Sequence, residues 1–209
     1  MIKVFCVVLL AFSSLIAKEV GFLTKEKIIY PPYKNNAILR QDALFVDDFW
    51  VLHSLIKMAK PVTLFEIGTC TGEGTLIIKN AIGKGVVYSL DLPPGLSSYD
   101  LGNRAGERCY LPYVQIFGDS MTLSYQDYYP IESWFIDGAH DYEHVYYETL
   151  KALESNPKII IYHDADIPEV FQGIKDGLED RTDFLLYRVV DTRIAFAVPS
   201  NSSVIKAIR

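Results

Sequence analysis

Short apolar segments alternate with helix-like segments along most of this chain, and the alternation limits the folds that it can adopt. It predicts helices at 41–59, 75–81, 140–153 and 168–178, and strands at 62–67, 86–90, 113–117, 133–136, 159–162, 184–189 and 194–198. Apolar strands separated by helices are typical of a parallel sheet with helices on both faces. The last two strands, joined by the turn Asp191-Thr192, predict an antiparallel edge. The sequence therefore predicts a doubly wound, Rossmann-like α/β sheet.

The composition fits one ordered domain with no nucleic-acid partner. The 209 residues are close to the usual size of a single domain, about 100–200 residues. Half of the residues are apolar and 22% are charged, as in ordered globular proteins. The net charge is −6 and lysine and arginine do not cluster, whereas nucleic-acid sites need a basic surface. Three cysteines do not make a disulfide scaffold.

The first 17 residues have the layout of a secretory signal peptide. Lys3 precedes an apolar run, and small residues follow up to Ala17. The run is shorter than the ~20 apolar residues of a membrane span, so we expect no stable span. A signal peptide at 1–17 predicts export or a lumenal compartment; the alternative is an element that packs on a cytoplasmic domain. Residues 18–40 are predicted to be an extended lead-in, and residues 41–209 the domain.

The strand at 62–67 leads into a glycine-rich turn. The segment Glu66–Gly74 reads Glu-Ile-Gly-Thr-Cys-Thr-Gly-Glu-Gly. Glycine lets the main chain approach a ligand closely and adopt positive φ. The dinucleotide pattern G-x-G-x-x-G fails because Cys70 and Glu73 stand at its second and third glycines, and the Gly-Lys-Ser/Thr of a phosphate loop does not occur in the chain. We therefore expect a nucleoside-like ligand without a pyrophosphate.

An acid stands at or near the end of every predicted parallel strand: Glu66, Asp91, Asp119, Asp137 and Asp164. A single acid in such a place often only caps a turn. In an open α/β sheet, however, ligands bind at the carboxyl ends of the strands. Asp91 follows Gly68 by 23 residues (91 − 68), close to the ~20 residues that separate the glycines from the ribose-binding acid in nucleotide folds. A carboxylate can accept hydrogen bonds from both ribose hydroxyls.

These segments resemble class I S-adenosylmethionine (SAM) dependent methyltransferases, and in particular the branch of small O-methyltransferase-like proteins. Residues 66–72 resemble the first motif of that family. Gly118-Asp119-Ser120, the segment 135–140 (Phe-Ile-Asp-Gly-Ala-His) and His163-Asp164 are similar to its later motifs. The resemblance implies seven strands with the last antiparallel, helices on both faces, and SAM as the cofactor. It also implies the SAM-binding residues, which are Glu66, Gly68, Thr69, Gly72, Asp91, Asp119, Ser120 and Asp137.

The resemblance further implies transfer of a methyl group to an acceptor hydroxyl, which must lose its proton. One arrangement uses His140 or His163 as general base, because an imidazole has an unperturbed pKa of about 6.5. In the other, Asp137 and Asp164 bind a divalent ion such as Mg²⁺, which lowers the pKa of the hydroxyl. Metal-dependent relatives such as catechol O-methyltransferase carry Asn after the second acid, where this chain has Ala165. The catalytic candidates are Asp137, His140 and His163, and both arrangements stay open.

The sequence also leaves other functions open. A protein with this fold can bind SAM or a partner without catalysing a reaction. His140 and His144 fit the H-x-x-E-H pattern of zinc peptidases, in which two histidines on one helix face bind zinc. The absence of a basic stripe in this acidic, aromatic-rich sequence predicts a small-molecule acceptor. The apolar face of the helix at 41–59 is able to cover a second copy of the chain in a homodimer.

Several charged residues are predicted to be solvated. Asp48 belongs to the polar positions of the first helix, and Glu148 aligns with His144 on the face predicted to be exposed in the helix 140–153. Arg104 and Arg108 lie in a long loop between 92 and 112, where they are either solvated or placed to meet an anionic acceptor.

Overall fold

The structure, a computed structural model, describes residues 18–28, 46–96 and 105–208. The signal peptide predicted at 1–17, most of the predicted lead-in and Arg104 lie outside the described residues. The strands are β1 Val20–Thr24, β2 Thr63–Ile67, β3 Val86–Asp91, β4 Val114–Phe117, β5 Ser133–Ile136, β6 Ile159–Tyr162, β7 Phe184–Val190 and β8 Ala195–Pro199. The helices are α1 Val46–Ala59, α2 Glu73–Ile82, α3 Tyr142–Glu154, α4 Pro168–Gly177 and α5 Ser203–Ala207.

All the described strands form one sheet in the order β1-β7-β8-β6-β5-β2-β3-β4. Only β8 runs antiparallel to its neighbours, as predicted for the last strand. The sheet has eight strands where seven were predicted. The additional strand is β1, which falls in the predicted lead-in and pairs parallel with β7, so that Val20 lies beside Leu186.

The last two strands do not form the predicted antiparallel edge. β8 lies between β6 and β7, and β1 covers the outer side of β7. The four residues from Ala195 to Val198 are fully buried, which is the environment of a central strand. The connection between β7 and β8 therefore lies beside the end of β6 rather than at the margin of the sheet.

Helices cover both faces of the sheet, as predicted. Side chains of each strand alternate between the two faces, so neighbouring residues enter different cores. On one face, Phe65 and Trp134 pack in a core with residues of α3 and α4. On the other face, Leu64 and Phe135 pack in a core with residues of α1, α2 and α5. None of the helices in the described ranges is long and apolar enough to cross a membrane.

Strand order reverses between β2 and β5. The chain passes from β2 outward through β3 to β4 and then returns to place β5 on the other side of β2. The parallel strands β2 to β6 all end at the same edge of the sheet. Because an open α/β sheet binds its ligands at this edge and at the reversal point, the fold itself indicates where a ligand site should lie.

Candidate active site

A cleft of about 740 Å³ lies at this edge, over the ends of β2 and β5. Its lining includes the predicted site residues Gly68, Asp91, Asp119, Ser120, Asp137, His140, His163 and Asp164. A second cavity, of about 830 Å³, lies beside α1 and α5, away from the strand ends. The described residues that line this second cavity include Lys57, Lys60 and Lys158 but no carboxylate. Four of the five acids that the sequence places at strand ends, Asp91, Asp119, Asp137 and Asp164, therefore meet in the first cavity, which is called the cleft below.

The glycine-rich turn packs directly on the turn that follows β5. Gly68 has φ +97°, and a Cβ at this position would overlap the carbonyl group of Asp137, with 2.6 Å to its carbon. The Asp137 N–H donates to the Ile67 carbonyl oxygen at 2.9 Å, which joins the two turns. Only glycine combines this backbone conformation with such a close approach. The main chain at Gly68 therefore forms the floor of the cleft.

Asp91 is held at the rim of the cleft by main-chain donors. Its Oδ2 accepts from the Cys70 N–H and its Oδ1 from the Leu92 N–H, both at 2.7 Å. A carboxylate has about four lone-pair sites, so each oxygen retains capacity for a further donor. This orientation suits a pair of vicinal hydroxyl groups.

Asp119 and Ser120 lie in the cleft next to Asp91. The Asp119 Oδ1 accepts from the Met121 N–H at 2.8 Å, and the rest of this side chain is exposed. Ser120 is 8% exposed, and its neighbour in the cleft wall is Glu148 on α3. Burial raises the pKa of Glu148 to about 7. This end of the cleft can thus offer both hydrogen-bond donors and acceptors to a ligand.

Glu66, by contrast, does not line the cleft. Its side chain has no exposed surface, and its Oε2 accepts from Thr75 Oγ1 at 2.6 Å and from Ser89 Oγ at 2.5 Å. Ser89 in turn contacts Thr69 Oγ1 at 2.6 Å, and Gln115 donates to Thr69 at 2.9 Å. The side chains of Glu66 and Thr69 thus belong to a buried network beneath the glycine-rich turn and support its shape.

Gly72 also lies outside the lining of the cleft. It has φ +87°, and a Cβ there would come within 2.8 Å of Gly106 Cα. Gly106 belongs to the returning end of the long loop, whose main chain donates to Cys70 and Thr71 at 2.9 Å. Arg108 in the same segment forms an ion pair with Glu73. The glycine therefore lets this loop pack on the turn, and Arg108 is a structural partner of that turn.

Replacing Glu66 by glutamine is expected to change how stability depends on pH. Burial raises the pKa of Glu66 to about 8, against hydrogen bonds from Ser89 and Thr75 that lower it. Above the ordinary Glu value of about 4.3, only the folded chain keeps this proton, so stability falls as the pH rises from about 5 to 8. Glu66→Gln cannot ionise, so its stability relative to wild type should increase over this window. Urea unfolding at pH 5 and pH 8 measures the difference, and a constant difference would contradict the assignment.

Asp137, His163 and Asp164 meet at the end of the cleft beside β5 and β6. One ligand atom from each lies within 4.8 Å of the others. His163 Nδ1 is 3.1 Å from Asp137 Oδ1 and 3.2 Å from Asp164 Oδ2, and its Nε2 is 3.2 Å from Asp48 Oδ2. Burial alone would lower the pKa of His163, but hydrogen bonds to Asp137 and Asp48 outweigh burial and raise it to about 9. A protonated imidazole has no lone pair, so at neutral pH His163 does not have the form of a general base.

His140 has the better geometry for that role. Its side chain is 41% exposed in the cleft, and its Nε2 lies 2.8 Å from Asp164 Oδ2. A neutral imidazole that donates from one nitrogen to a carboxylate presents a lone pair on the other. Asp164 itself is 2% exposed and has φ +53°, a left-handed conformation that aspartate tolerates better than most residues. The pair His140–Asp164 can therefore accept a proton from a group in the cleft.

The predicted metal pair Asp137 and Asp164 is brought together, but Asp164 is already engaged. Its Oδ1 forms an ion pair with the guanidinium of Arg193, from the connection between β7 and β8. The neighbouring Ala165 is buried and has no side-chain oxygen to offer a metal ion. Mg²⁺ requires near-octahedral oxygen ligands. The residues as arranged do not fit a divalent ion.

The zinc pattern is not assembled. The helix that was predicted to start at His140 begins at Tyr142, because Asp141 caps it and accepts from the His144 N–H at 3.0 Å. His140 therefore precedes the helix and faces Asp164, whereas His144 Nδ1 lies 2.9 Å from Asp141. Within the described part of the chain, the group of metal-ligating side chains contains neither of these two histidines.

Sequence reasoning missed Asp48, Glu148 and Arg193. Both acids were predicted to be solvated, and both are buried, with 3% and 0% of their surface exposed. The signal was present, because Asp48 continues the buried stripe of α1 at positions 51, 52, 55, 56 and 59. Glu148 likewise belongs to the buried stripe of α3. Arg193 gives no comparable signal, since it follows a turn far along the chain from the residues that it contacts.

No protein-family model and no curated protein sequence matches this chain. Solved structures do match. The O-methyltransferase from Bacillus cereus in complex with SAH superposes with a TM-score of 0.56 and 20% identity, over 77% of this chain and 84% of that chain. This chain has the fold of SAM-dependent O-methyltransferases. The O-methyltransferase TomG from Streptomyces achromogenes is involved in tomaymycin synthesis and was solved with SAM. It superposes with a TM-score of 0.53 and 19% identity, over 90% of this chain and 93% of that chain. The predicted Rossmann-like fold is confirmed.

Proposed function

We propose that this protein is a SAM-dependent methyltransferase that transfers a methyl group to a hydroxyl oxygen of a small molecule. The observation that carries the proposal is the convergence of Asp91, Asp119 and Asp137 on one cleft, over the glycine floor at Gly68. The cleft lies where the strand order reverses, the usual ligand position in such sheets. The two similar structures, which are O-methyltransferases solved with SAH and SAM, support the same chemistry.

The residues of the cleft fit the groups of SAM one by one. Asp91 is oriented to accept from the ribose hydroxyls, and Asp119 with Ser120 can bind the polar edge of the adenine. Asp137 places a negative charge beside the Gly68 floor, which suits a sulfonium cation. When bound, SAM supplies an electrophilic methyl group. The buried network of Glu66 and Thr69 contributes by holding the glycine-rich turn in shape.

His140 removes the proton of the acceptor. With SAM bound, the acceptor oxygen would take the methyl group as the bond between sulfur and methyl carbon breaks, and the hydroxyl proton would pass to the His140 imidazole. Asp164 fixes the ring at 2.8 Å and stabilises the imidazolium that results. Holding the reactants in line supplies most of the remaining acceleration in a displacement of this kind.

A SAM-binding protein without methyl transfer is the second candidate. The signal-peptide-like sequence at 1–17 favours it, because SAM is made in the cytosol and an exported protein would lack the continuous supply that repeated methyl transfer consumes. Incubation with methyl-labelled SAM and a panel of phenols and catechols separates the candidates. Labelled product supports the methyltransferase. SAH binding without labelled product on any acceptor supports the second candidate. If the chain neither binds SAH nor forms product, both candidates are overturned.

Removal of residues 1–17 is also proposed. Cleavage after Ala17 would leave Lys18, whose Nζ donates to the carbonyl oxygens of Arg181 and Phe184 at 2.5 and 2.6 Å. β1 would therefore remain intact after cleavage. The proposal places the mature protein in an exported or lumenal compartment, against the cytoplasmic alternative. N-terminal sequencing of protein from its native host tests the cleavage.

We expect a small molecule as acceptor and no nucleic-acid partner. The net charge of −6 and the four acids Asp91, Asp119, Asp137 and Asp164 in the cleft would repel a phosphate backbone. A homodimer is a further expectation from the sequence, and sedimentation of the purified chain tests it.

A further inference from the structure

Nitrogen donors hold both carboxylate oxygens of Asp164. Oδ1 forms the ion pair with Arg193, and Oδ2 lies 2.8 Å from His140 Nε2 and 3.2 Å from His163 Nδ1. With 2% of its surface exposed, Asp164 has little room for a further ligand. A divalent ion would have to displace the arginine from a buried carboxylate, and breaking a buried ion pair is costly.

The main chain directs Arg193 to this place. Its N–H donates to Asp48 Oδ1 at 3.0 Å, and its carbonyl oxygen accepts from the Ala165 N–H at 2.9 Å. Its Nε also lies 3.4 Å from Asp166 Oδ1. The residue is thus tied to α1 on one side and to the segment after β6 on the other. A planar guanidinium held in this way matches a carboxylate better than a flexible lysine would.

We propose that Arg193 takes the place of a divalent cation in this site. It is a positioning residue: the guanidinium fixes Asp164, and Asp164 directs His140 toward the acceptor hydroxyl. The proton that the hydroxyl loses passes to His140 and then to solvent, and no metal ion takes part. This proposal rests on the proposed methyl transfer, but its central feature, an arginine that excludes a metal ion, can be tested without SAM or acceptor.

Mn²⁺ binding followed by electron paramagnetic resonance provides the test. We expect wild type to bind no Mn²⁺ that depends on Asp164. Arg193→Leu frees the carboxylate and should gain one Mn²⁺ site per chain that depends on Asp164, with an affinity at least about tenfold above the detection limit that bounds wild type, since the nearby positive charge has gone. Arg193→Lys keeps a cation near Asp164 and is the matched control, expected to behave like wild type.

Three results would overturn the proposal. The first is Mn²⁺ binding by wild type that Asp164→Asn abolishes. The second is a lack of binding in folded Arg193→Leu, because the arginine would then not be what excludes the ion. The third is equal Mn²⁺ binding by the leucine and lysine variants. If Arg193→Leu does not fold, the proposal is tested by comparing Mn²⁺ binding by wild type with Mn²⁺ binding by Asp164→Asn. A lack of SAH binding together with the expected Mn²⁺ behaviour would refute the proposed methyl transfer. The role of Arg193 in excluding the ion would still be supported.

Discussion

Replacing His140 by alanine is expected to lower kcat by about 10²–10⁴-fold, the usual contribution of a general base. The variant removes the one imidazole that is both exposed in the cleft and paired with Asp164 at 2.8 Å. The dissociation constant for SAH should stay within about threefold of wild type, because the proposed SAM contacts involve other residues. Turnover of labelled SAM with an acceptor from the phenol panel, together with calorimetry of SAH binding, measures both quantities.

Glu143→Ala is the control for this experiment. Glu143 is exposed on the first turn of α3, close to His140 in the chain, and does not line the cleft. Its kcat should equal that of wild type. If His140→Ala retained full kcat while His163→Gln lost it, the base would be His163. The protonated state that its contacts with Asp137 and Asp48 favour would then be the wrong description of the site.

Gly68→Ala should have the largest effect on stability. The added methyl group would overlap the Asp137 carbonyl, and φ +97° is a conformation that alanine avoids. Overpacking and the unfavourable backbone together should lower the free energy of unfolding by about 3–5 kcal/mol. The two turns must then separate, so SAH binding should be lost even where the variant remains folded. Urea denaturation and calorimetry measure the two effects.

Gly83→Ala separates overlap from backbone strain. Gly83 also has positive φ, +66°, but a Cβ there would meet no atom within 4 Å. We expect a smaller loss of about 1–3 kcal/mol, the cost of placing alanine in this unusual backbone conformation, and unchanged SAH binding. Equal losses in the two variants would mean that the close approach of Gly68 to Asp137 has no special role.

The positions of the strand-end acids could be predicted from the sequence because the fold rules are local. Apolar runs define the strands, and parallel strands end at one edge. Asp91 is the last residue of its strand, and Asp119, Asp137 and Asp164 follow the ends of theirs, so all four reach the cleft. Glu66 is the penultimate residue of β2 instead. Neighbouring side chains of a strand point to opposite faces of the sheet. The Glu66 side chain, one residue before the end of β2, is therefore directed into the interior, toward Thr75 on α2.

The role of Arg193 could not be predicted because it depends on strand order. Had β7 and β8 formed the predicted edge, their connection would lie away from β6. Insertion of β8 between β6 and β7 brings this connection beside Asp164. Asp48 on α1 also lies beside Arg193 and accepts from its main-chain N–H. It belongs to the buried face of α1, which the sequence pattern predicted to be apolar throughout. Contacts between segments so distant in sequence follow from topology, which the apolar pattern specifies only in part.

Calorimetric titration of the full chain with SAH tests most directly the claim that the strand-end acids form a SAM site. We predict one site per chain with a dissociation constant of about 1–100 µM. Loss of the charged acceptor in Asp91→Ala should weaken binding about 100-fold. A trace without heat at millimolar SAH, at two temperatures and with folded protein, would contradict the account. So would wild-type affinity in Asp91→Ala.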